Sequence, residues 1–99
     1  MAQRIVVYWR DIPAQVIVRQ GRTTEKRELP ERFIRAVDRA AMRSGAHGTD
    51  AYLAEWRRGE PTPCGDDLAA EADAALDALD GEYDPARLDA LVKNGGRAP

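Results

Sequence analysis

Four groups of residues in this chain have side chains and spacing that invite chemistry. His47, the sole histidine, stands between Gly45 and Gly48 and close to Asp50, a setting in which an imidazole can serve as general base or metal ligand. No second histidine and no cysteine lies near it, whereas a metal site needs three or four ligands, so the plainer reading is a histidine shaping a turn between helices. Cys64, the sole cysteine, lies in a Pro-Cys-Gly turn ahead of a helix N-terminus, which can lower a thiol pKa. Without a matched histidine it reads as incidental, and one cysteine permits neither an internal disulfide nor a cysteine metal cluster. Arg32, Arg35, Arg39 and Arg43 share one side of a helix at about 100° per residue and could track phosphates. The fourth group, Tyr8, Trp9, Arg10 and Asp11, runs aromatics into a charged turn, and Trp, Tyr and Arg are the residues that dominate interface hot spots.

Weighing these groups against simpler readings narrows the function. The carboxylates after Asp66 have the spacing of a solvated helix face; Asp77, Asp80, Glu82 and Asp84 do not form an EF-hand loop, which needs alternating ligands and a central glycine. No phosphate-binding glycine loop and no Ser/His/Asp arrangement occurs. A helix–turn–helix reading of Ala40 to Arg58 puts Asp50, Tyr52, Glu55 and Trp56 where a DNA reader needs base-contacting polar groups, and the whole chain is acidic at a net charge of −2. For Trp9, Arg10 and Asp11 two accounts compete: a partner surface centred on the turn, or an end-cap on the core with Trp9 buried. The turn around His47 is the next candidate surface.

The elements that must position these residues form one domain, since a chain of 99 residues supports a single modest core. The net charge hides an asymmetry: residues 1–58 carry 12 Lys+Arg against 7 Asp+Glu, and residues 59–99 carry 3 against 10. An acidic half folding back on a basic half accounts for this within one small domain, with a basic surface for an anionic partner as the other reading. The early apolar run, Ile5 to Trp9, is too short for a membrane span or a signal peptide, so the expected compartment is the cytoplasm.

Taken in order, Arg4 to Gln20 reads as a β-hairpin with Ile5, Val7 and Trp9 on one face and Val6 and Tyr8 on the other. Arg10 to Gln15 supplies the turn and Val16 to Val18 the return strand. Thr24 to Leu29 is the candidate third strand, charged enough to be a protected edge. Pro30 to Ser44 is the clearest helix: Pro30 fits its first position, Glu31 suits the positive end of the dipole, and Gly45 ends it. Phe33, Ile34, Val37, Ala40, Ala41 and Ser44 form its apolar stripe. A second helix is expected over Asp50 to Arg58 with Thr49 as N-cap, followed by a linker from Gly59 to Pro63. The third helix opens at Gly65-Asp66-Asp67, buries Leu68, Ala72, Ala75, Leu76 and Leu79, and ends at Gly81. Asp84 caps a fourth, with Pro85 at its first position and Leu88, Leu91 and Val92 inward. Gly95 to Pro99 reads as a frayed tail.

Laid end to end, Ile5-Val-Val-Tyr-Trp-Arg-Asp-Ile-Pro-Ala-Gln-Val, Leu29-Pro-Glu-Arg-Phe, Arg39-Ala-Ala-Met and Tyr52-Leu-Ala-Glu-Trp resemble the small virulence factor domain, which also closes the longer conserved virulence factor C proteins. The resemblance covers roughly Arg4 to Gly59 and carries no established activity, cofactor or catalytic residue. Long members join this domain to helical repeats and a segment like iron–sulfur scaffold proteins, which implies an adaptor role. Short members accompany folate- and corrinoid-dependent methyl-transfer enzymes, which implies an accessory one.

The expected fold is therefore α+β. An N-terminal antiparallel hairpin, or three strands, packs on a helical pair within residues 1–59; an acidic helical extension spans residues 60–94 and a tail residues 95–99. The expected function is a non-catalytic protein-interaction or accessory module of a larger bacterial enzyme system, with no cofactor and no membrane. Its partner-binding residues are Trp9, Arg10, Asp11 and His47. The rival is an accessory subunit of a cofactor-handling system for one-carbon or corrinoid methyl transfer, with a pocket joining His47, Tyr52, Arg10 and Asp11. A weak nucleic-acid binder stands third. The oligomeric state stays open.

Overall fold

The structure, a computed structural model, describes residues 1–46 and 48–98. Three strands, β1 (Ala2–Trp9), β2 (Ile12–Gln20) and β3 (Thr23–Glu28), follow one another and pair antiparallel. Trp9 pairs with Ile12, so the first turn is only Arg10-Asp11, and the segment from Ile12 to Gln15 expected in the turn belongs to β2. A bulge in the ladder, between Val7 and Tyr8, shifts the register there. The Ala14 carbonyl accepts from the Leu29 N–H at 3.0 Å, which leads the chain off the sheet into the next helix.

Two further strands correct the sequence reading. The second helix, α2, covers only Thr49–Ala54, with Gly48 and not Thr49 at its N-cap. Trp56–Arg58 is β4 and Thr62–Cys64 is β5, and both pair antiparallel with β1 in the segment read as a helix end and linker. β4 lies along Val7–Trp9 and β5 along Ala2–Arg4, so together they form one interrupted edge strand. The pairings Val7–Arg58 and Arg4–Thr62 differ in register by one residue, the signature of a bulge at Gly59 to Pro61. Gly59 is needed there: a Cβ would meet the Tyr8 ring at 3.1 Å and the Val6 carbonyl at 3.3 Å.

Helix α1 (Glu31–Ser44) starts with Pro30 at its N-cap, one position earlier than expected, and ends at Gly45 in a left-handed conformation. Its buried stripe is Phe33, Ala36, Val37, Ala40 and Ala41. Ile34, placed in that stripe by its spacing, is 40 % exposed, and Ser44 is exposed as well. At about 100° per residue Ile34 falls at the margin of the arc these five define. Helix α3 (Leu68–Glu82) is capped by Asp67, whose carboxylate accepts from the Ala70 N–H at 3.2 Å. Helix α4 (Pro85–Lys93) is capped by Asp84, which accepts from the Arg87 N–H at 2.8 Å.

Two cores hold these elements. On the sheet face formed by the even-numbered residues of β1, Ala2, Val16 and Val18 pack with Leu68, Ala72 and Ala75 of α3. At the end of the sheet, Trp9, Ile12 and Leu29 pack with the α1 stripe and with Leu88, Leu91 and Val92 of α4. Thus α1 finds its main helical partner in α4, and α2 buries none of its residues. Leu79 of α3 touches both cores. Among the described residues no helix is long and apolar enough to cross a membrane.

Val37 is fully buried, Ile34 is 40 % exposed, and Arg39 meets Asp89 across an exposed pair. Val37→Asp should therefore cost several kcal/mol, enough to unfold much of the population at room temperature. Ile34→Asp should cost no more than about 1 kcal/mol and Arg39→Ala about 0.5 kcal/mol. Thermal melts followed by circular dichroism separate them; equal melting temperatures for Val37→Asp and Ile34→Asp would contradict this orientation of α1.

Candidate functional site

The turn joining β1 to β2 is bonded to parts of the chain far from it in sequence. Arg10 has φ +53°, a left-handed conformation that costs a non-glycine residue about 1 kcal/mol or more. What holds it there is a set of contacts from two other segments, the stretch at Glu55 and the glycines near residue 95. Its N–H donates to the Glu55 carbonyl at 3.1 Å, and its guanidinium donates to the Gly95 carbonyl at 2.7 Å and to the Glu55 carboxylate at 3.5 Å. Arg10 Nε is buried without a partner among the described residues. Asp11 is shared: one carboxylate oxygen accepts from the Arg57 guanidinium at 3.2 Å, the other from the Ala98 N–H at 2.6 Å. The Asp11 N–H in turn donates to the Gly96 carbonyl at 2.8 Å.

Residues 95–98, read from sequence as a tail, therefore lie across this turn. Gly96 is buried with φ +90°, and a Cβ there would come within 2.8 Å of the Trp9 ring. Trp9 is fully buried beneath, its indole N–H donating to the Tyr52 carbonyl at 2.9 Å. Trp9 thus has no surface to offer a partner, and the Arg10 side chain is only 14 % exposed. Asp11 is the most accessible of the three. His47 lies outside the described residues. Of the residues of the rival pocket, Asp11 lines one hollow and Tyr52 another.

The hollow that Asp11 does line is a cleft of about 610 Å³ between the β1/β4 edge and the junction of α3 with α4. Tyr8 and Tyr83 form its aromatic walls, each under an arginine: Arg57 stacks over Tyr8 at 4.6 Å and Arg87 over Tyr83 at 4.0 Å. Glu60 completes the charged rim, and Leu91 and Ala90 add apolar floor. A second hollow sharing Tyr8, Gly59 and Glu60 continues along the strand edge toward Arg4 and Glu82. Burial pushes the Tyr83 phenol above its ordinary pKa; Arg87 opposes this, while Tyr8, Glu82 and Asp11 reinforce it. The phenol therefore stays protonated at neutral pH and presents both a donor and an acceptor.

Sequence spacing singled out Tyr8 and Asp11 but not Arg57, Tyr83 or Arg87. Arg57 sat inside a presumed helix. Tyr83 directly precedes the Asp84 cap, where an apolar residue staples a helix entry, so its position signals packing, not a site. Cys64, on β5, is half-buried, and burial raises its thiol pKa, with Glu71 adding and Arg4 opposing. A helix N-terminus can lower a thiol pKa, but α3 starts four residues later, and burial, with Glu71 and Asp66 adding to it, sets the opposite direction here. No cluster of His, Cys, Asp and Glu able to hold a metal ion occurs among the described residues.

Five antiparallel strands with helices against one face and one end make this an α+β domain, open at the cleft. The profile of the virulence factor family matches residues 7–92, and the chain belongs to that family. The match runs through α3 and into α4, well past the Gly59 limit of the motif-level resemblance, so the acidic helices are part of the family's unit. No curated protein and no solved structure matches the chain.

Replacing Arg10 tests the account of the turn. Arg10→Ala removes the bonds to Gly95 and Glu55 and should cost about 2 kcal/mol. Arg10→Gly loses the same bonds but relieves the positive φ, and should be about 1 kcal/mol more stable than the alanine variant. Urea unfolding measures both; an alanine variant as stable as wild type would contradict the clamp.

Proposed function

We propose that this chain is a non-catalytic protein-interaction module, an accessory part of a larger bacterial enzyme system, and that its partner seats in the cleft between Tyr8 and Tyr83. The observation that carries this reading is the pair of stacked Tyr–Arg units facing one opening. Tyrosine and arginine are the side chains that most often anchor protein interfaces. Stacking also fixes each guanidinium before a partner arrives, which lowers the entropy lost on binding. Asp11 and Glu60 on the same rim supply acceptors for a partner's donors. The partner-binding role expected for the hairpin turn thereby moves to its flank: Asp11 touches the partner, while Trp9 and Arg10 hold Asp11 in place.

The cleft volume supports a second reading, an accessory subunit that handles a small cofactor or substrate, because small-molecule sites span about 300–1,000 Å³. One experiment addresses both. The double variant Arg57→Ala with Arg87→Ala removes two exposed cations and their stacks and bonds, and should destabilise by about 2 kcal/mol, leaving the domain folded. Affinity capture from the native cell extract, with mass spectrometry of proteins and of small molecules, compares it with wild type. Loss of a captured protein by the folded variant is the expected result; loss of a small molecule instead favours the second reading. Unchanged capture by a folded variant would contradict both.

A further inference from the structure

The sheet face away from the cleft carries a different surface. Besides the terminal Met1, the large apolar side chains standing exposed among the described residues are Ile34 at 40 %, Met42 at 66 % and Leu53 at 59 %. All three belong to α1 and α2. Ile34, Asp38 and Met42 follow one another at four-residue steps and so line one margin of α1 over roughly 12 Å. Two hollows flank that margin. One, of about 480 Å³, is formed by Ile34 and Leu29 with Val7, Ala14 and Trp56. The other, of about 330 Å³, is formed by Met42, Ala41 and Asp38 with Tyr52. Between them stand Tyr52 and Trp56, edge to face at 5.9 Å. Val7 and Trp56 alternate with Tyr8 and Arg57 along their strands, so these hollows and the cleft lie on opposite faces of the sheet.

Charge says what such a strip takes. Glu28 and Glu31 line the first hollow and Asp38 the second, and no lysine or arginine lines either among the described residues. Glu28 and Asp38 form no ion pair among the described residues, and Glu31 has only its exposed i,i+4 pair with Arg35. Of the other arginines of α1, Arg32 turns the other way to Asp80 and Arg39 to Asp89. Asp38 also faces Tyr52 closely enough to help burial raise that phenol's pKa. On the far side of Met42 the sign changes, where Arg39 and Arg43 line a shallow hollow, and this bounds the acidic strip.

We infer that the strip from Val7 and Ile34 to Met42 and Tyr52 is a docking surface for a basic amphipathic helix of a partner protein. Two apolar side chains of that helix about seven residues apart, roughly 10 Å, seat in the two hollows. Lysines or arginines beside them meet Glu28, Glu31 and Asp38. This surface shares no residue with the Tyr8–Tyr83 cleft and stands or falls independently of it.

The test titrates the full chain with a synthetic Leu/Lys peptide of about 18 residues patterned as an amphipathic helix, and with a scrambled peptide of the same composition. Backbone amide shifts map the contact and give the affinity. The patterned peptide should bind at least about tenfold more tightly than the scrambled one and shift Ile34, Asp38, Met42 and Tyr52. Asp38→Lys and, separately, Ile34→Lys should each weaken it about tenfold with the amide spectrum otherwise intact. Asp77→Lys, an equal charge change on the exposed side of α3, should leave it within about twofold, as should Arg57→Ala with Arg87→Ala. Equal binding of both peptides, equal loss in Asp77→Lys and Asp38→Lys, shifts confined to Tyr8, Arg57 and Tyr83, or no binding at about 1 mM would each overturn the inference.

Discussion

Everything at one end of this molecule depends on the contact between the Arg10-Asp11 turn and the last residues of the chain. Trp9 is the largest of the fully buried side chains, and it lies at the end of a strand, where sheet neighbours alone do not enclose it. Gly96 and Ala40 close over its ring, and Tyr52 accepts its N–H. Ordering four tail residues costs roughly 1–2 kcal/mol each in backbone entropy. The hydrogen bonds to Arg10 and Asp11, together with the apolar area of Trp9 kept from water, oppose that cost. Asp11 ties the same turn to β4 through Arg57, so one carboxylate links the first hairpin, the broken edge strand and the tail. The cleft exists because those three segments meet there without filling the space up to Tyr83.

Part of the charge asymmetry is matched inside the molecule. Arg27 meets Asp73, Arg32 meets Asp80, Arg39 meets Asp89 and Gln20 meets Asp66, each joining the basic half to the acidic half. Most of these groups are partly exposed, so each contributes about 1 kcal/mol or less. They set the orientation of α3 and α4, and the apolar contacts of Leu68, Ala72, Ala75, Leu88, Leu91 and Val92 supply the larger share of the holding. Arg32 does more than the others: besides Asp80 it donates to the Asp80 and Tyr83 carbonyls at the end of α3 and stacks on Phe33. It thereby fixes the α3–α4 junction that carries Tyr83 and Arg87.

Local chemistry made part of this legible from sequence. The stop of α1 at Gly45, the Asp84 cap and the inward residues of α4 follow from capping and spacing rules that act within one or two turns. The stretch from Trp56 to Cys64 did not, because nothing local distinguishes a short helix end plus linker from an interrupted edge strand. Pairing with β1, some fifty residues earlier, decides it. The same holds for Gly95 and Gly96, whose tail-like composition conceals a close approach to Trp9. Ile34 failed for a subtler reason: helical spacing places it at the edge of the apolar arc, and the neighbouring element that would have covered it, α2, is only six residues long. The cleft residues come from three separated segments, so no spacing rule gathers them.

The acidic helices and the tail dock on the basic half through both cores and through the Arg10-Asp11 turn. Backbone hydrogen exchange at neutral pH measures this amide by amide. The account predicts strong protection in the hydrogen-bonded amides from Glu71 through Val92, at the level of β1 and β2, with slowed exchange also at the Asp11 amide, which donates to the tail. Immediate exchange across α3 and α4 while β1 and β2 stay protected would contradict it.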